Sequence, residues 1–269
     1  MTTFTGDDAA AAARSAEARE LIDQAQWQDV LLDVLSAWDL CALGGARQVL
    51  FDEAPAKAWA GMRRVARKKL PVVIFDGLAE RGLLIRQPPT VPLAAPGGGQ
   101  QPVLADYAFA PRLGLVMAAR SRPTLAVTCE LEKVPSRYPR FFGLGDERDA
   151  VRAVVREAPT RAPEGNFPHL QKSGPLAWFY RYDLVSRASA ADYLARWALL
   201  QSERHPKASR LVTLLRHDQG QLLAVQTLAV RSNDGQTARL GGAGSAHGQE
   251  YDHAGLTQIM SGLFSPGRP

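Results

Sequence analysis

The chain has 269 residues, which is enough for one large domain or two of ordinary size. Hydrophobic residues make up 46% and charged residues 22%, so a sizeable core is expected. The net charge of +5 conceals an uneven distribution. Residues 1–53 carry 3 basic and 10 acidic side chains, residues 54–122 carry 11 and 3, and residues 123–269 carry 18 and 14. The acidic and basic segments either pair with each other, or the basic one faces a polyanion.

No apolar run approaches the roughly 18 residues that a membrane-spanning helix needs. The first twenty residues have acids where a signal peptide is basic, and Ala where it is Leu-rich. We therefore expect a cytoplasmic protein without a membrane partner. The abundance of Ala, Arg, Gly and Leu is typical of a GC-rich bacterial genome.

The first half of the chain predicts mainly helices. Residues 1–14 are Ala-rich and polar and predict a disordered tail. Apolar residues at helical spacing predict one long helix from about Ser15 to Leu43, ended by two glycines. A second helix is expected to start near Glu53 and to carry residues 57–69, and a third to run from Pro71 until a glycine stops it.

A strand and a long loop follow these helices. Residues 83–85 predict a strand, whereas residues 87–102 hold five prolines and three consecutive glycines, which argue against regular structure. The extended pattern resumes in residues 103–110, and residues 111–122 predict a short helix.

This order of elements resembles a winged helix-turn-helix domain, in which a β-hairpin follows the third helix. The resemblance rests on Pro71–Leu84, with the phrase LAERGLL, and on Ile85-Arg86 and Tyr107–Phe109 as the hairpin arms. It covers about residues 28–120 and implies contact with DNA through the third helix and the wing. The sequence departs from the pattern because its third helix is apolar, which leaves the basic second helix and Arg86 as better candidates.

The second half predicts an antiparallel sheet with helices. Two hairpin turns, HDQGQ and SNDGQ, join three strands into a meander at residues 210–217, 221–231 and 236–242. Ser189 is expected to cap a helix whose inward residues are Tyr193, Leu194, Trp197 and Leu200. The remaining predictions are strands at 124–131 and 176–185, a glycine-bounded turn at 140–146, strand or helix at 150–157, a loop at 158–175 and a last helix at 253–264.

The run RRVARKK is the most informative motif. Cations concentrated on a helix bind phosphates by releasing counterions, and arginine grips phosphate with two hydrogen bonds. The alternatives are a solvated helix face, neutralisation by the acidic first helix, or an acidic surface on a protein partner. The predicted nucleic-acid-binding residues are Arg63, Arg64, Arg67, Lys68, Lys69, Arg81 and Arg86.

Other motifs are better explained by structure than by chemistry. Residues 240–248, LGGAGSAHG, lack the Lys-Ser/Thr of a P-loop and the spacing of a dinucleotide fingerprint, so we expect a flexible connection. The aromatic run Trp178, Phe179, Tyr180 and Tyr182 either stacks on bases or packs into the core, and the core is expected.

No cofactor or metal is predicted. His247, Glu250 and His253 are spaced like one helical face, but glycines flank them and no cysteine lies nearby. Cys41 and Cys129 lie in apolar surroundings, so we expect two buried, reduced thiols.

The sequence thus predicts an α+β protein with a tail at 1–14, a winged-helix-like helical domain at 15–122 and an α+β domain at 123–269. The functional hypothesis is a non-enzymatic, DNA-associated bacterial regulator or accessory protein that contacts the phosphate backbone. A homodimer or a place in a larger complex would be compatible with it. The main alternative is an adaptor or chaperone subunit of a larger assembly, in secretion, defence or mobile-element machinery. A third, an enzyme using the Gly-rich loop, is the weakest because no Ser–His–Asp arrangement or paired carboxylates accompany it.

Overall fold

The computed structural model describes residues 6–44, 50–87, 104–134, 136–145, 151–163, 174–200, 208–218, 221–232, 235–242 and 248–265. The chain divides into two compact units, and each is assembled from separate stretches. Unit 1 comprises residues 1–20, 32–120 and 160–181, and unit 2 comprises residues 21–31, 121–159 and 182–269. Each predicted domain is one continuous stretch of sequence, whereas each observed unit is built from three separate stretches.

The α+β class is confirmed, with a large antiparallel sheet and helices. The helices are α1 Gly6–Gln24, α2 Ala37–Ala42, α3 Glu53–Ala60, α4 Arg64–Glu80, α5 Pro111–Ser121, α6 Arg187–Leu199 and α7 His253–Leu263. The strands are β1 Val30–Ser36, β2 Leu84–Arg86, β3 Tyr107–Phe109, β4 Leu125–Leu131, β5 Arg140–Gly145, β6 Val151–Thr160, β7 Phe179–Val185, β8 Arg210–Asp218, β9 Gln221–Ser232, β10 Thr237–Gly242 and β11 Glu250–Asp252. Nine strands form one sheet in the order β1-β7-β6-β5-β4-β8-β9-β10-β11, and β2 and β3 form a separate pair.

The long first helix predicted for residues 15–43 is wrong. The structure has α1, then β1, then the short helix α2, and the helix already begins at Gly6, within the predicted tail. Ser36 starts α2 through a capping box, because its hydroxyl accepts from the Asp39 amide and the Asp39 carboxylate accepts from the Ser36 amide. The expected glycine stop is present, with Gly44 at a φ of +91°.

The boundary between the second and third helices lies seven residues before the predicted one. The break falls at residues 61–63, between α3 and α4, and Pro71 lies inside α4 rather than at its start. Gly82, at a φ of +71°, ends the helix as expected. The predicted hairpin arms are confirmed, since β2 and β3 pair antiparallel with Ile85 opposite Ala108. The predicted loop from residue 88 to residue 102 lies outside the described residues.

In unit 2 the predicted turn at residues 140–146 is wrong for residues 140–145, which form β5. Phe141 and Phe142 are both buried and β5 pairs with β4 and β6, so the phenylalanines are covered on both faces of a central strand. Residues 151–157, for which the sequence leaves strand and helix open, form the strand β6, and this strand continues to Thr160, so the predicted loop at 158–175 is wrong at its start. The meander β8-β9-β10 is confirmed, with Gly235 supplying a φ of +77° at its second turn.

Helices α6 and α7 cover one face of the sheet in unit 2. The first helical residues of α6 are capped by Ser186, whose hydroxyl accepts from the Ser189 amide at 3.0 Å, so the predicted cap at Ser189 is wrong. Leu194, Met260 and Phe264 are fully buried against the sheet, whereas Leu200, expected inward, is 60% exposed. Among the described helices, none combines the length and apolar character that crossing a membrane requires.

Candidate nucleic-acid interface

The N-terminal half of α4 carries the basic run. Arg63 precedes the helix with extended backbone, and the other four cations fall within its first two turns. All five side chains belong to exposed residues. They are exposed because the buried residues of α4, namely Ile74, Phe75 and Leu78, all lie in its second half. The first two turns therefore extend beyond the part of the helix that packs.

Within these turns, Arg64, Arg67 and Lys68 occupy positions i, i+3 and i+4 and share one helical face. Like charges at this spacing repel, and cations in the first turn oppose the helix dipole, at a cost of about 0.3–1 kcal/mol for each unfavourable charge. No acidic residue lies in the first turn to offset this. A bound anion would relieve the repulsion.

None of the five cations makes an ion pair in the part of the chain that the structure describes. The neutralisation by the acidic first helix, one of the alternatives, is not seen among those residues. Lys57 on α3 provides a contrast, because it pairs with Glu53 one turn earlier at 2.5 Å. As far as the described residues go, the cations of α4 are therefore exposed and accessible.

Arg81 differs from the other predicted binding residues because internal partners occupy it. Its guanidinium bonds to the Asp33 carboxylate and donates to the Val34 carbonyl at 2.7 Å, and it lies 3.7 Å from Asp39. It ties the end of α4 to β1 and α2 within unit 1. Its geometry favours a structural role over phosphate contact.

Arg86 lies at the end of β2, at the start of the hairpin loop. Its side chain is 67% exposed, its guanidinium stands 5.8 Å from the ring centre of Tyr107, and its nearest nitrogen is 3.8 Å from Asp76. The Tyr107 hydroxyl donates to the same carboxylate at 3.2 Å. An exposed ion pair this long is weak, so Arg86 remains accessible to a phosphate.

The three residues considered as metal ligands, His247, Glu250 and His253, were expected to share one helical face, and the structure differs from this. Glu250 lies in β11 and His253 begins α7, so they do not share a helical face, and His247 lies outside the described residues. Across the described ranges, no group of three His, Cys, Asp or Glu side chains is arranged to hold a metal ion. His253 instead faces Asp192, with 3.1 Å between its Nε2 and the carboxylate.

Three of the four residues of the aromatic run and both cysteines belong to the core, as predicted, whereas Trp178 is only partly buried. Phe179, Tyr180 and Tyr182 are 5%, 2% and 0% exposed, which excludes them as an open base-stacking platform. Both cysteines are buried free thiols. Burial raises the pKa of the Cys41 thiol to about 12 and raises that of Cys129 still further above its ordinary value, so both are protonated at neutral pH.

Two buried ionic networks in unit 2 were not anticipated from the sequence. Glu157, 1% exposed, accepts from Arg140 at 2.8 Å and from the Tyr182 hydroxyl at 2.7 Å. Arg156 bonds to the buried Asp183 at 2.6 Å. The sequence feature that could have indicated these networks is the presence of charged residues inside otherwise apolar strands, because buried charges are usually paired. Each carboxylate is engaged by arginine, which suits a structural role.

A small cavity in unit 2, about 310 Å³ in volume, lies beside the first turn of α6. Its lining residues are Gln26, Ser186, Arg187, Ala188, Ser261 and Ser265. This lining offers no carboxylate or histidine to act as a general acid or base. The cavity therefore does not assemble an active site.

No protein-family model, no curated protein and no solved structure matches this chain. The functional argument consequently rests on the geometry of the chain itself.

Proposed function

We propose that the protein binds nucleic acid, with the first two turns of α4 contacting the phosphate backbone and Arg86 adding a second contact from the hairpin. The observation that carries the proposal is the set of five exposed cations without an ion-pair partner among the described residues. Each phosphate that such a cation neutralises releases a counterion, which supplies a large part of the binding free energy.

The helix boundaries support the proposal. Because α4 begins at Arg64 rather than at Pro71, the cations lie on the helix that directly precedes the β2–β3 hairpin. In winged-helix proteins this helix and the hairpin both approach the duplex, and the N-terminal residues of a recognition helix are the ones that reach it. The proposed role is a non-enzymatic bacterial regulator or accessory protein acting on DNA in the cytoplasm.

A comparison of three proteins by fluorescence anisotropy tests the proposal. The wild type, a variant with all five cations changed to Gln and a control variant are titrated onto a generic duplex at low salt. The control neutralises five exposed cations outside α4, namely Arg122, Lys133, Arg152, Arg187 and Arg239. Binding that is lost in the α4 variant and largely kept in the control supports the proposal. Absence of wild-type binding, or equal losses in both variants, refutes it.

A second candidate, an adaptor or chaperone subunit, is favoured by a different observation. Trp27 is 90% exposed on a short turn after α1, although large aromatic residues are usually covered. Two hydrogen bonds hold the turn: the Gln26 side-chain amide donates to the Arg152 carbonyl at 2.9 Å, and the Trp27 backbone amide donates to the Gln24 carbonyl at 3.0 Å. An exposed indole of this kind is a frequent anchor of protein interfaces.

This second candidate has its own test. Cross-linking in cells followed by mass spectrometry compares the wild type with Trp27→Ala, and with Leu200→Ala as a matched change at another exposed apolar residue. One specific partner lost from the Trp27 variant alone supports an adaptor. Identical cross-link patterns in all three proteins count against it.

A further inference from the structure

The two halves of α4 differ in what holds them helical. None of residues 64–70 is buried, and five of them are exposed. The second half is anchored within unit 1 by its buried residues Ile74, Phe75 and Leu78. Isolated helices shorter than about 12–15 residues are marginal in water, so a first half without a buried side chain gains little stability of its own. Its helical state therefore depends on being continuous with the second half.

Pro71 weakens that continuity, because it lies inside the helix between the two halves. A proline has no N–H to donate to the carbonyl four residues earlier, here that of Arg67, and its ring crowds the same carbonyl. The interior of a helix is thus unfavourable for proline, whereas the first helical position suits it, since the N–H there has no helical partner. A helix that begins at Pro71 avoids this cost and keeps every buried residue of α4.

The start of α4 lacks the groups that usually stabilise a helix N-terminus. Arg63, at the N-cap, makes no side-chain hydrogen bond to the first turn, and no acidic residue lies in that turn. The positive end of the helix dipole meets cations instead, and Arg64, Arg67 and Lys68 also repel one another. Each of these effects favours the shorter helix when no anion is bound.

We propose that α4 exchanges between a long form that begins at Arg64 and a short form that begins at Pro71, and that the phosphates of a duplex stabilise the long form. This inference rests on the proposed nucleic-acid binding. Phosphates supply the acceptors and the negative charge that the start of the long form lacks, so they favour a helical first half and leave the second half unchanged. The cations are then aligned on a helix mainly when the duplex is bound, as in other segments that order on binding.

The exchange lowers the affinity for a duplex by an amount that a variant can reveal. When a ligand binds only one of two forms, its apparent affinity is reduced by the fraction of free molecules in that form. Pro71→Ala restores the missing donor and favours the long form without changing the charge. If about one free molecule in ten has the long form, this variant should bind a duplex about tenfold more tightly. The salt slope should be unchanged, because the phosphate contacts are the same.

Hydrogen exchange followed by mass spectrometry tests the two forms in the full chain, with and without a generic duplex at low salt. In the long form the amides of residues 67–70 are hydrogen-bonded, as that of Arg67 is to the carbonyl of Arg63 at 3.1 Å, whereas in the short form they precede the helix. In the free wild type these amides should exchange much faster than those of residues 75–80, and the duplex should slow them. In free Pro71→Ala they should already be slow.

Pro111→Ala is the matched control for the proline change. Pro111 is the first residue of α5, where a proline removes no helical hydrogen bond. This variant should therefore keep the wild-type exchange rates at residues 67–70 and the wild-type affinity for the duplex.

The outcomes separate the exchange between forms from the proposed function. If residues 67–70 exchange as slowly as residues 75–80 in the free wild type, the short form is not populated and the inference is overturned, whatever the duplex does. A duplex that binds without slowing these amides, or a Pro71→Ala variant with wild-type affinity, overturns it while nucleic-acid binding stands. A wild type that does not bind the duplex refutes the proposed function, and the coupling to phosphate is refuted with it.

Discussion

Replacing Glu157 tests whether the buried network of β5, β6 and β7 stabilises unit 2. The carboxylate is 1% exposed and joins Arg140, 17% exposed, to the fully buried Tyr182 hydroxyl. Removing one member of a buried ion pair costs about 3–5 kcal/mol. Because Arg140 keeps some access to water, we expect Glu157→Ala to lower the free energy of unfolding by about 3 kcal/mol.

Urea denaturation followed by circular dichroism measures this loss as a fall in the transition midpoint at unchanged slope. Tyr182→Phe removes one hydrogen bond and should cost about 1 kcal/mol, so it calibrates the scale. The double variant should lose less than the sum of the two single changes, because both act on the same carboxylate. A loss below about 1 kcal/mol for Glu157→Ala would refute a stabilising role for the network.

Three further predictions concern other parts of the molecule. Arg81→Ala should destabilise the protein by about 2 kcal/mol in urea titrations, because it loses charged hydrogen bonds, whereas Arg86→Ala should change stability little. Cys41 and Cys129 should resist Ellman's reagent at pH 8 until the protein is unfolded, since burial raises both thiol pKa values; rapid native labelling would contradict their burial. The Tyr193 hydroxyl donates to the Asp29 carboxylate at 2.6 Å, and this hydrogen bond raises the pKa of Tyr193 in the fold. Tyr193→Phe should therefore be less stable than wild type at neutral pH, and the difference in free energy of unfolding should narrow above pH 10.0, the ordinary tyrosine pKa.

Local signals in the sequence predicted the hairpins well. The β2–β3 arms and the β8–β9–β10 meander followed from short β-rich runs and from glycines that supply positive φ at turns. Gly44 and Gly82 likewise marked the ends of α2 and α4. These signals succeed because they depend on a few neighbouring residues.

Errors arose where tertiary burial decides the outcome. Residues 30–35 form an apolar run interrupted only by Asp33, which suits a buried strand as well as a helix, and their place in the sheet selects the strand β1. Arg140–Gly145 contains two glycines that suggested a turn, yet Phe141 and Phe142 are covered on opposite faces of a strand. The paired charges of Glu157 and Asp183 depend on contacts between strands far apart in sequence, which spacing alone does not reveal.

For the candidate interface, the sequence identified the cations but misplaced their helix. Proline is expected in a first turn, so the start of the third helix was placed at Pro71, whereas α4 continues through it from Arg64. The sequence also did not distinguish Arg81, held by Asp33, from the exposed cations of α4. Exposure and ion pairing separate these residues, and both are properties of the folded chain.

The salt dependence of duplex binding tests the nucleic-acid proposal most directly. Each neutralised phosphate contributes about −0.9 to the slope of log K against log salt, so the five cations of the basic run alone contribute about −4.5 to the slope and a fall of about 500-fold between 50 and 200 mM salt. Changing the five residues of α4 to Gln should remove most of that slope. Binding that is independent of salt, or a variant that keeps the wild-type slope, would contradict the account.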